Sequence, residues 1–343
     1  MTKKILIITD KYYKEMGGSY EAIGSTVYNL KKDDFNIKFV YFHNGETEFN
    51  LDLVKIINKV DIVHFFGIWT INHIKTAILS KFKKKRFIIT PMGSLEPWSL
   101  SQKKLKKKIA LLLYQKKILK LADIVHCTSL NEEKNIKLID ENINTKIIPH
   151  SGTSLNYEKK EMRNDNKIKF LFFSRIHKKK GLDLLIQSWN ELRPKNCELN
   201  IYGPDGDGTK LKLQKEIIKK NLTNQIHFHE PVFKLKEKNE IYKKHDISVL
   251  FSKNENFSYT ILESLQHSLP VFTNTNVPWK EIRDMDAGWY IQDDYEYMKK
   301  TLKSLFKITR KDLLIKSKNA FNLSKNYDWK FIVHEYKKLY EIF

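Results

Sequence analysis

Cysteine and long apolar runs are both scarce in this sequence of 343 residues. The two cysteines, Cys127 and Cys197, each lie in an apolar, strand-like run and lack the spacing of a metal or redox site. We therefore expect two buried thiols in a reducing compartment. No stretch reaches the roughly 18 apolar residues of a spanning helix, and the apolar run near the N-terminus is too short for a signal peptide. The sequence accordingly predicts a cytoplasmic protein, or one that is peripheral on a membrane.

Acidic residues and arginine are also few relative to lysine. The 62 Lys and Arg residues outnumber the 40 Asp and Glu residues, which gives a formal net charge of +22. Arginine occurs only at Arg86, Arg163, Arg175, Arg193, Arg283 and Arg310. A genome rich in A/T codons explains part of this excess without any function. The alternative is attraction to an anionic partner, such as a membrane surface, a phosphorylated substrate or nucleic acid.

Short apolar runs alternate with longer helical patterns along the whole chain. The runs are KILIIT, IKFVYF, DIVHFFG, RFIITPMG, DIVHCTS and KIIPHSG, then IKFLFFSR, ELNIYG, IHFHE, DISVLFS, PVFTN and GWYIQ. Runs of this length that are rich in Ile, Val and Phe are typical of strands buried on both faces of a parallel sheet. The sequence therefore predicts an α/β protein with two Rossmann-like, doubly wound parallel sheets.

A polar segment without periodicity, residues 156–167, separates the two sets of runs and is interpreted as a linker. Two domains of about 150 residues are also what the length favours. We predict an N-terminal domain over residues 1–155 and a second domain over residues 156–325. Residues 326–343 contain an amphipathic helix that we expect to pack back toward the N-terminal domain. Ligands of such folds bind at the carboxyl ends of strands and often between domains.

Gly17 and Gly18 follow the first predicted strand and precede a helix that is expected to begin near Ser19. Glycine lets the backbone approach a ligand, and a helix N-terminus attracts phosphate. The spacing differs from the GxGxxG pattern of dinucleotide-binding enzymes. A turn that simply requires glycine is therefore an alternative to phosphate binding.

Arg175 lies where the first strand of the second domain is expected to end, and Lys180 follows just before Gly181 and a helix. Two cations at a strand end, beside a helix N-terminus, suit a diphosphate. The alternative is a solvated basic turn, which is the interpretation we favour for Lys178 and Lys179.

Glu255 and Glu263 are separated by seven residues, across a predicted loop and the start of a helix. Ser258 is expected to cap this helix. Glu263 would then lie roughly 7–8 Å along the helix. The backbone N–H groups of residues 257–259 would point between the two acids. A sugar nucleotide has the matching layout, with hydroxyl groups at both ends and a diphosphate in the middle. The alternative is a solvated loop acid and a surface helix acid.

In this order and spacing, these segments resemble the retaining glycosyltransferases of family 4, whose GT-B fold has two Rossmann-like domains facing across a cleft. NENFSYTILESLQHSLP resembles the E-x7-E segment of that family, MGGSYEAI its glycine loop, and SRIHKKKGLDLLI its Arg and Lys segment. GIWT, TPMGSLEPWSL and AGWYI are similar to segments of its members that assemble polysaccharide, O-antigen or capsule. The resemblance covers nearly the whole chain.

The resemblance implies roles for individual residues. Arg175 and Lys180 would stabilise the leaving nucleoside diphosphate, Glu255 would hold the donor sugar, and Glu263 would bind the ribose. The rest of the donor site would be formed by Gly17 and Gly18, which meet the phosphates, and by the backbone of Phe257, Ser258 and Tyr259.

The sequence departs from the family at three positions. Met92 replaces a His that often contacts the donor sugar, Phe66 replaces a His before GIW, and Ser258 replaces the usual Gly. These departures leave the sugar open. The candidates for the acceptor side are Met92, Glu96, Trp98 and His150.

The implied function is a retaining, metal-independent hexosyltransferase of surface polysaccharide, lipopolysaccharide or capsule biosynthesis. It would move a hexose-type sugar from a UDP- or GDP-sugar, held on the second domain, to a hydroxyl of a glycan or lipid-linked glycan on the first. No cofactor is expected, because the nucleotide sugar is a substrate and two cations meet its diphosphate. The Asp-x-Asp patterns at residues 205–207 and 284–286 are interpreted as turns rather than metal ligands.

Two other functions remain open for the sequence: a nucleotide-sugar epimerase of the same fold, and a basic nucleic-acid-binding protein. The second is disfavoured because the lysines are scattered and form no stripe with interleaved aromatic residues. The oligomeric state is open.

A strongly basic segment precedes the fifth predicted strand. It contains Lys103, Lys104, Lys106, Lys107, Lys108, Lys116, Lys117 and Lys120. It is interpreted as a helix that binds an anionic membrane, because the implied acceptor class is often lipid-linked. The alternative is a helix with one core face and one solvated face. The next segment fits a capping box of Ser129 with Glu132, so Glu132 is interpreted as structural.

Overall fold

The computed structural model describes residues 3–152 and 167–341, and the chain folds into two compact units. The first unit comprises Met1–Ser151 with Trp329–Phe343, and the second comprises Gly152–Asp328. The predicted boundary between residues 155 and 156, and the predicted linker up to residue 166, lie outside the described residues. The second boundary follows Asp328, three residues after the predicted one. No helix in the described part of the chain is long and apolar enough to cross a membrane.

The first unit is built on six parallel strands in the order β2-β1-β3-β4-β5-β6. The strands are β1 (Lys4–Lys11), β2 (Asn36–His43), β3 (Ile62–Phe66), β4 (Arg86–Thr90), β5 (Ile124–Cys127) and β6 (Thr145–Ile147). The helices are α1 (Gly18–Lys32), α2 (Leu53–Asn58), α3 (Ile71–Phe82), α4 (Pro97–Ser101), α5 (Lys104–Ala110), α6 (Lys116–Leu121), α7 (Leu130–Ile139) and, from the C-terminus, α15 (Trp329–Glu341). A π-helical turn, Leu111–Gln115, joins α5 to α6.

Helices cover both faces of this sheet, and each face has its own apolar core. On one face, β-strand residues pack with α2, α3, α6 and α7, through residues such as Ile57, Ala77, Leu119 and Ile136. On the other face they pack with α1 and α15. The amphipathic pattern of α15 places its apolar residues against this second core: Trp329, Ile332, Val333, Tyr336, Leu339 and Tyr340.

The second unit has six parallel strands in the order β12-β11-β10-β7-β8-β9. The strands are β7 (Ile168–Phe173), β8 (Cys197–Tyr202), β9 (Ile226–Phe228), β10 (Ile247–Leu250), β11 (Val271–Asn274) and β12 (Gly288–Ile291). The helices are α8 (Leu182–Leu192), α9 (Thr209–Lys219), α10 (Leu235–Lys243), α11 (Tyr259–Gln266), α12 (Glu281–Asp284), α13 (Tyr295–Leu305) and α14 (Arg310–Ser324).

The predicted fold class is confirmed, because each of the twelve apolar runs overlaps one strand of the two parallel sheets. The buried strands need no polar alternation, since helices cover both faces of a parallel sheet. Cys127 and Cys197 are buried free thiols, as expected. Burial raises the pKa of the Cys197 thiol to about 12 and raises the pKa of Cys127 further, so neither thiol ionises at neutral pH.

Candidate functional site

In the second sheet, successive strands are added first on one side of β7 and then, from β10 onward, on its other side. These two strands are hydrogen-bonded neighbours, although β8 and β9 lie between them in sequence. β8 and β9 extend the sheet to one side of β7, and β10, β11 and β12 extend it to the other. The segments that leave the two neighbours, residues 174–181 and 251–258, therefore meet at one edge of the sheet. Doubly wound sheets bind ligands at this switch point.

Lys180 and Glu255 form an ion pair between these two segments. The Lys180 Nζ lies 2.5 Å from the Glu255 Oε1, and the Ser252 hydroxyl donates to the same oxygen at 2.6 Å. The two charged side chains are only 13% and 10% exposed, so water screens the pair weakly. Glu255 Oε2 accepts no hydrogen bond from the described residues. Oε1 is thus held by two donors, and Oε2 is available to accept a hydrogen bond from a ligand.

The ion pair keeps Glu255 ionised. Burial by itself would raise the pKa of this carboxyl. The charges of Lys180 and Lys179, with the hydrogen bonds from Lys180 and Ser252, outweigh burial and lower the pKa below its ordinary value. Glu255 is therefore an anion at neutral pH and an acceptor of hydrogen bonds.

Gly181 lets the two segments approach each other. Its φ is 67°, and a Cβ at this position would lie 2.0 Å from the carbonyl oxygen of Phe251. The N–H of Lys253 donates to the carbonyl of Lys179 at 2.8 Å, which holds the segments together. Only glycine combines this conformation with this contact. The close approach is what brings Lys180 to Glu255.

Arg175 is an exposed cation at the end of β7. Its guanidinium makes no hydrogen bond or ion pair with any of the described residues. It follows β7 by two residues, and Lys180 ends the short 3-10 turn that comes next. The structure thus supplies one solvated cation and one cation paired with Glu255 at the switch point.

Ser258 precedes α11 in a left-handed conformation, with φ 67° and ψ 77°. The prediction that its side chain caps the helix is wrong, because it accepts no capping hydrogen bond, and its Oγ is buried without a partner in the described chain. A capping serine needs an extended backbone, whereas a left-handed residue turns its side chain elsewhere. Glycine adopts this conformation without strain. The backbone at Ser258 is therefore one that glycine would adopt without strain.

Aromatic packing fixes the loop ahead of α11. The Trp279 indole N–H donates to the carbonyl of Phe257, and both rings pack with Tyr327. Tyr259, the first residue of α11, is also buried. The backbone N–H groups of Ser258 and Thr260 make no hydrogen bond within residues 3–152 and 167–341. These donors remain available at the helix N-terminus.

Glu263 lies on the second turn of α11 and is held by α10. Lys238, whose side chain is 5% exposed, donates to Oε1, and the Tyr242 hydroxyl donates to Oε2 at 3.2 Å. The Lys238 ammonium also lies 5.8 Å from the ring centre of Phe173. A carboxylate has about four acceptor positions. Glu263 therefore retains acceptor capacity while its orientation is fixed.

The sequence did not reveal three of these partners. Ser252, Lys238 and Tyr242 each hold one of the two acids, yet none belongs to a recognisable motif. Lys238 is one lysine among many, and its burial, at 4% of the whole residue, is its only distinguishing feature. Burial depends on the packing of α10 on α11, which local sequence does not show.

Gly17 and Gly18 belong to the first unit, where they follow β1 and a 3-10 turn at Lys14–Met16. Gly17 has φ 63° and ψ −128°, and α1 begins at Gly18, one residue earlier than expected. This is the switch point of the first sheet, since β1 lies between β2 and β3. The side chain of Asn72, near the start of α3, donates to Asp10 of β1 at 2.9 Å at the same edge.

The loop after β4 carries three of the candidates for the acceptor side. Met92 has a left-handed φ of 56° and packs against the core that includes α15. Glu96 is 3% exposed and accepts a hydrogen bond from Asn135 at 2.8 Å, whereas Trp98 on α4 is only half-buried. Of the three, Glu96 is buried, whereas Met92 and Trp98 are both partly exposed.

Glu132 holds this loop in place. Its Oε1 accepts from the N–H of Gly93 at 2.7 Å, and its Oε2 accepts from the N–H and hydroxyl of Thr128. The Ser129 side chain accepts from the N–H of Glu132, which is one half of the predicted capping box. The Glu132 carboxylate bonds to Gly93 and Thr128, so its role is to join two loops.

His150 is buried beneath the first sheet and is 3% exposed. Burial, aided by the nearby His126, lowers the pKa of His150 to about 3. His150 is therefore neutral at physiological pH. It follows β6, the edge strand, rather than β1 or β3 at the switch point.

The two Asp-x-Asp patterns are held by neighbouring side chains. Asp207 accepts from the Thr209 hydroxyl at 2.5 Å and lies 3.5 Å from the ring of His177. Asp284 pairs with Arg283, and Asp286 pairs with Lys316. In the described parts of the chain, no group of three or more His, Cys, Asp or Glu residues is arranged to hold a metal ion.

Comparison with known proteins agrees with this geometry. Residues 154–322 match the family model described as glycosyl transferases group 1. An uncharacterized glycosyltransferase of Methanocaldococcus jannaschii is 27% identical over 327 residues, which cover 90% of this chain and 79% of the relative. These findings support a glycosyltransferase of the group 1 type.

Solved structures extend the likeness to the whole fold. Sucrose-phosphate synthase from Thermosynechococcus elongatus superimposes with a TM-score of 0.77 at 13% identity, over 99% of this chain and 98% of that one. HepE of Anabaena, solved in complex with UDP and glucose, gives 0.75 at 15% identity, over 99% of this chain and 100% of that one. At these identities the structures establish a shared GT-B fold.

Proposed function

We propose that this glycosyltransferase is a retaining, metal-independent enzyme of family 4 that transfers a hexose from a UDP- or GDP-sugar. The acceptor is a hydroxyl of a glycan or lipid-linked glycan in the assembly of surface polysaccharide, such as lipopolysaccharide or capsule. The observation that carries the proposal is the pairing of Lys180 with Glu255 at the switch point of the second sheet, beside the solvated Arg175.

Arg175 and Lys180 are assigned to the donor diphosphate. The leaving group gains negative charge as the glycosidic bond breaks, and fixed cations that meet this charge lower the barrier. Arg175 has no competing partner in the described chain, so it can bind a phosphate bidentately. The N–H groups of Ser258 and Thr260, at the start of α11, offer further donors to the same anion.

Glu255 is assigned to the donor sugar. Its Oε1 is held by Lys180 and Ser252, and its ionised Oε2 is left to accept hydrogen bonds from sugar hydroxyls. The ion pair makes Glu255 a positioned acceptor rather than a proton donor. Glu263, oriented by Lys238 and Tyr242, is assigned to the ribose diol.

The expected mechanism follows from these roles. Glu255 is tied to a lysine, and none of the assigned residues is an evident covalent nucleophile. Retention of configuration is then best explained by a front-face reaction, in which a phosphate oxygen of the leaving group takes the proton of the attacking hydroxyl. UDP in the HepE structure favours a uridine nucleotide as the first donor to test.

A donor screen tests the proposal. Thermal shift with UDP- and GDP-sugars should single out one donor, since a ligand at about 100 times its Kd stabilises the folded state by about 2.7 kcal/mol. Transfer to a glycan acceptor should follow, with retention seen by NMR and rates unchanged by EDTA. Conversion of the donor sugar without any acceptor would instead indicate an epimerase. Failure of every nucleotide sugar to bind would contradict the proposal.

A further inference from the structure

The basic segment of the first unit forms a continuous helical run from α5 through the π-turn to α6. Five large apolar residues on it are exposed to solvent, of which Leu121 (42%) ends the run. The other four lie close together: Leu105 (72%), Ile109 (48%), Leu112 (68%) and Leu113 (67%). Residues spaced by three or four positions share one face of a helix. These four residues therefore form a solvent-facing apolar row.

The opposite face of the same run is the one that packs on the protein. Leu111, Tyr114, Ile118 and Leu119 contact the core beneath the sheet. One apolar face is enough to attach a helix to its domain. The outward row is a second apolar face, and the packing of the unit does not require it.

A second exposed row lies on the neighbouring helix. α3 and α6 pack side by side on the same face of the sheet, and both contribute to its core. Ile71, Ile78 and Phe82 of α3 are 68%, 58% and 76% exposed. Because the two helices share one layer, the two rows face solvent on the same side of the first unit. We call these seven residues the apolar patch.

Positive charge surrounds the apolar patch without any acid in the two segments that carry it. Residues 71–86 and 97–122 contain no Asp or Glu. The side chains that make no hydrogen bond or ion pair within the described chain include Lys103, Lys104, Lys106, Lys108 and Lys117. The other three lysines of the segment have protein partners.

Those three lysines fasten the helical run to the domain. Lys107 turns inward and donates to the carbonyl of Ser99 at 2.6 Å, beside the ring of Trp69. Lys116 and Lys120 both pair with Asp140, at 3.2 and 3.1 Å. The remaining lysines are free to meet an external anion.

We propose that the apolar patch and its free lysines dock the first unit on an anionic lipid bilayer, with Leu105, Ile109, Leu112 and Leu113 entering the headgroup boundary. An apolar helical face flanked by lysines, with no acid, is the pattern of interfacial helices. Nucleic acid fits less well, because its sites pair cations with stacking aromatic rings, and this patch is almost entirely Leu and Ile. Protein interfaces are poor in lysine and rich in aromatic residues and arginine.

Vesicle co-sedimentation of the full chain tests the docking surface without any assay of transfer, so its outcome is independent of the proposed function. The full chain should bind vesicles of phosphatidylcholine with phosphatidylglycerol, and pure phosphatidylcholine at least about tenfold more weakly, because each lysine near an anionic surface adds attraction. Raising the salt concentration should release it.

Two variants address the two parts of the surface. L112S/L113S removes apolar contacts, and K104Q/K106Q/K108Q removes three free charges. Each should lower the apparent affinity for the anionic vesicles about tenfold or more. All five side chains are exposed, so circular dichroism and Tm should match those of the parent.

Matched controls come from α9 of the second unit, an exposed helix that also carries apolar and basic residues. L211S/I218S and K212Q/K215Q/K219Q change side chains of the same kind and similar exposure. Neither should change vesicle binding by more than about twofold. The proposal is overturned if the anionic vesicles are not bound, if either patch variant binds like the parent, or if the α9 variants lose as much affinity. It is also overturned if an RNA oligonucleotide displaces the chain from the vesicles and binds through the same patch.

Discussion

The two units share a plan but differ at the point where their strand order reverses. In the second unit, the first strand, β7, has two later strands on one side and three on the other, which is the strand order of dinucleotide-binding sheets. In the first unit, β1 has only β2 on one side and four strands on the other. Both arrangements open a crevice beside the first strand. The second unit places a solvated arginine and a shielded ion pair there, whereas the first unit places Asp10, Asn72 and the Gly17 turn.

The difference extends to the buried polar groups. The first unit carries a chain of hydrogen bonds through its interior: His64 bonds Tyr340 and Thr90, and Thr90 bonds His126 at 2.8 Å. His126 is neutral, because burial lowers its pKa to about 4, and its Nε2–H donates to the carbonyl of Ile148. Its Nδ1 must therefore accept from Thr90, which in turn accepts from His64. The direction of each hydrogen bond is therefore fixed. This series of hydrogen bonds joins β3, β4 and β5 to α15.

The two units thus differ in how their buried titratable groups are held. In the first unit, burial lowers the pKa of His64 and of His126, so both rings are neutral, and both are hydrogen-bonded by neighbouring groups. In the second unit, Glu255 is kept ionised and one of its oxygens is left open. Four predictions test this contrast.

The largest expected effect concerns Arg175. On the proposed mechanism, Arg175→Ala should lower the transfer rate about 100- to 1,000-fold, because it removes a cation that would meet the charge on the leaving diphosphate. Lys178→Ala, an exposed lysine on the same turn, should change the rate less than about threefold. Initial rates with a fixed acceptor measure both, and an unchanged Tm is expected since Arg175 has no partner in the described chain. Equal rates for Arg175→Ala and the parent would remove Arg175 from the mechanism.

The next prediction concerns the close approach of Gly181 to Phe251, which brings Lys180 to Glu255. Gly181→Ala should destabilise the second unit by about 3 kcal/mol or more, since it adds left-handed strain to a collision with the Phe251 carbonyl. Gly208→Ala is the matched control, because Gly208 also has a positive φ but has no atom within 4 Å of an added Cβ. It should cost only about 1 kcal/mol. Urea denaturation gives both values, and similar losses would contradict the close approach of the two segments.

Acid should affect the two units over different pH ranges. His126 is buried neutral, so the stability it contributes is present above pH 6.5 and is lost as the pH falls from 6.5 to about 4. The maximum loss for this residue is about 3 kcal/mol. Glu255 also has a lowered pKa. The stability that it contributes is lost only as the pH falls below the ordinary carboxyl pKa toward this lowered value.

Hydrogen exchange resolved by peptide, at pH 7 and pH 5, measures this difference. Protection of β3, β4 and β5 should fall at pH 5, while protection of β7 and β10 is retained. His126→Gln should be less stable at pH 7 but should show a smaller change between the two pH values. Equal loss in both units would contradict the assignment of the acid sensitivity to the histidine chain.

The smallest effect concerns Ser258. Ser258→Gly should stabilise the second unit by about 0.5–1 kcal/mol, because glycine adopts φ 67° without strain and only part of that gain is offset by its freedom in the unfolded chain. Ser258→Ala should be nearly neutral, since it keeps the strain and removes an unsatisfied hydroxyl. Tm values measure both. A loss of stability in Ser258→Gly would mean that the hydroxyl has a structural role.

Local sequence patterns predicted the strands and most of the candidate site residues. They did not predict which of these residues pair with each other. Arg175, Lys180 and Glu255 were found because each follows an apolar run that ends a strand. The ion pair between Lys180 and Glu255 was not predicted, because the two residues are 75 positions apart in the sequence. Ser258 was expected to cap α11 because serine commonly does so, and only the backbone angles reveal a conformation suited to glycine. The lysines at 103–120 were treated as alike, although packing turns three of them toward protein partners.

The apolar runs were sufficient to predict two parallel sheets, since a run of Ile, Val and Phe is stable in water only where both of its faces are covered. The ends of these runs also indicated which residues lie at the ends of strands. The neighbours of each strand could be known only from the folded chain, and so could the position of β7 beside β10 and the approach of Lys180 to Glu255 at Gly181. The physical reason is that strand order and burial arise from contacts between distant segments, while periodicity and composition report only on neighbours along the chain.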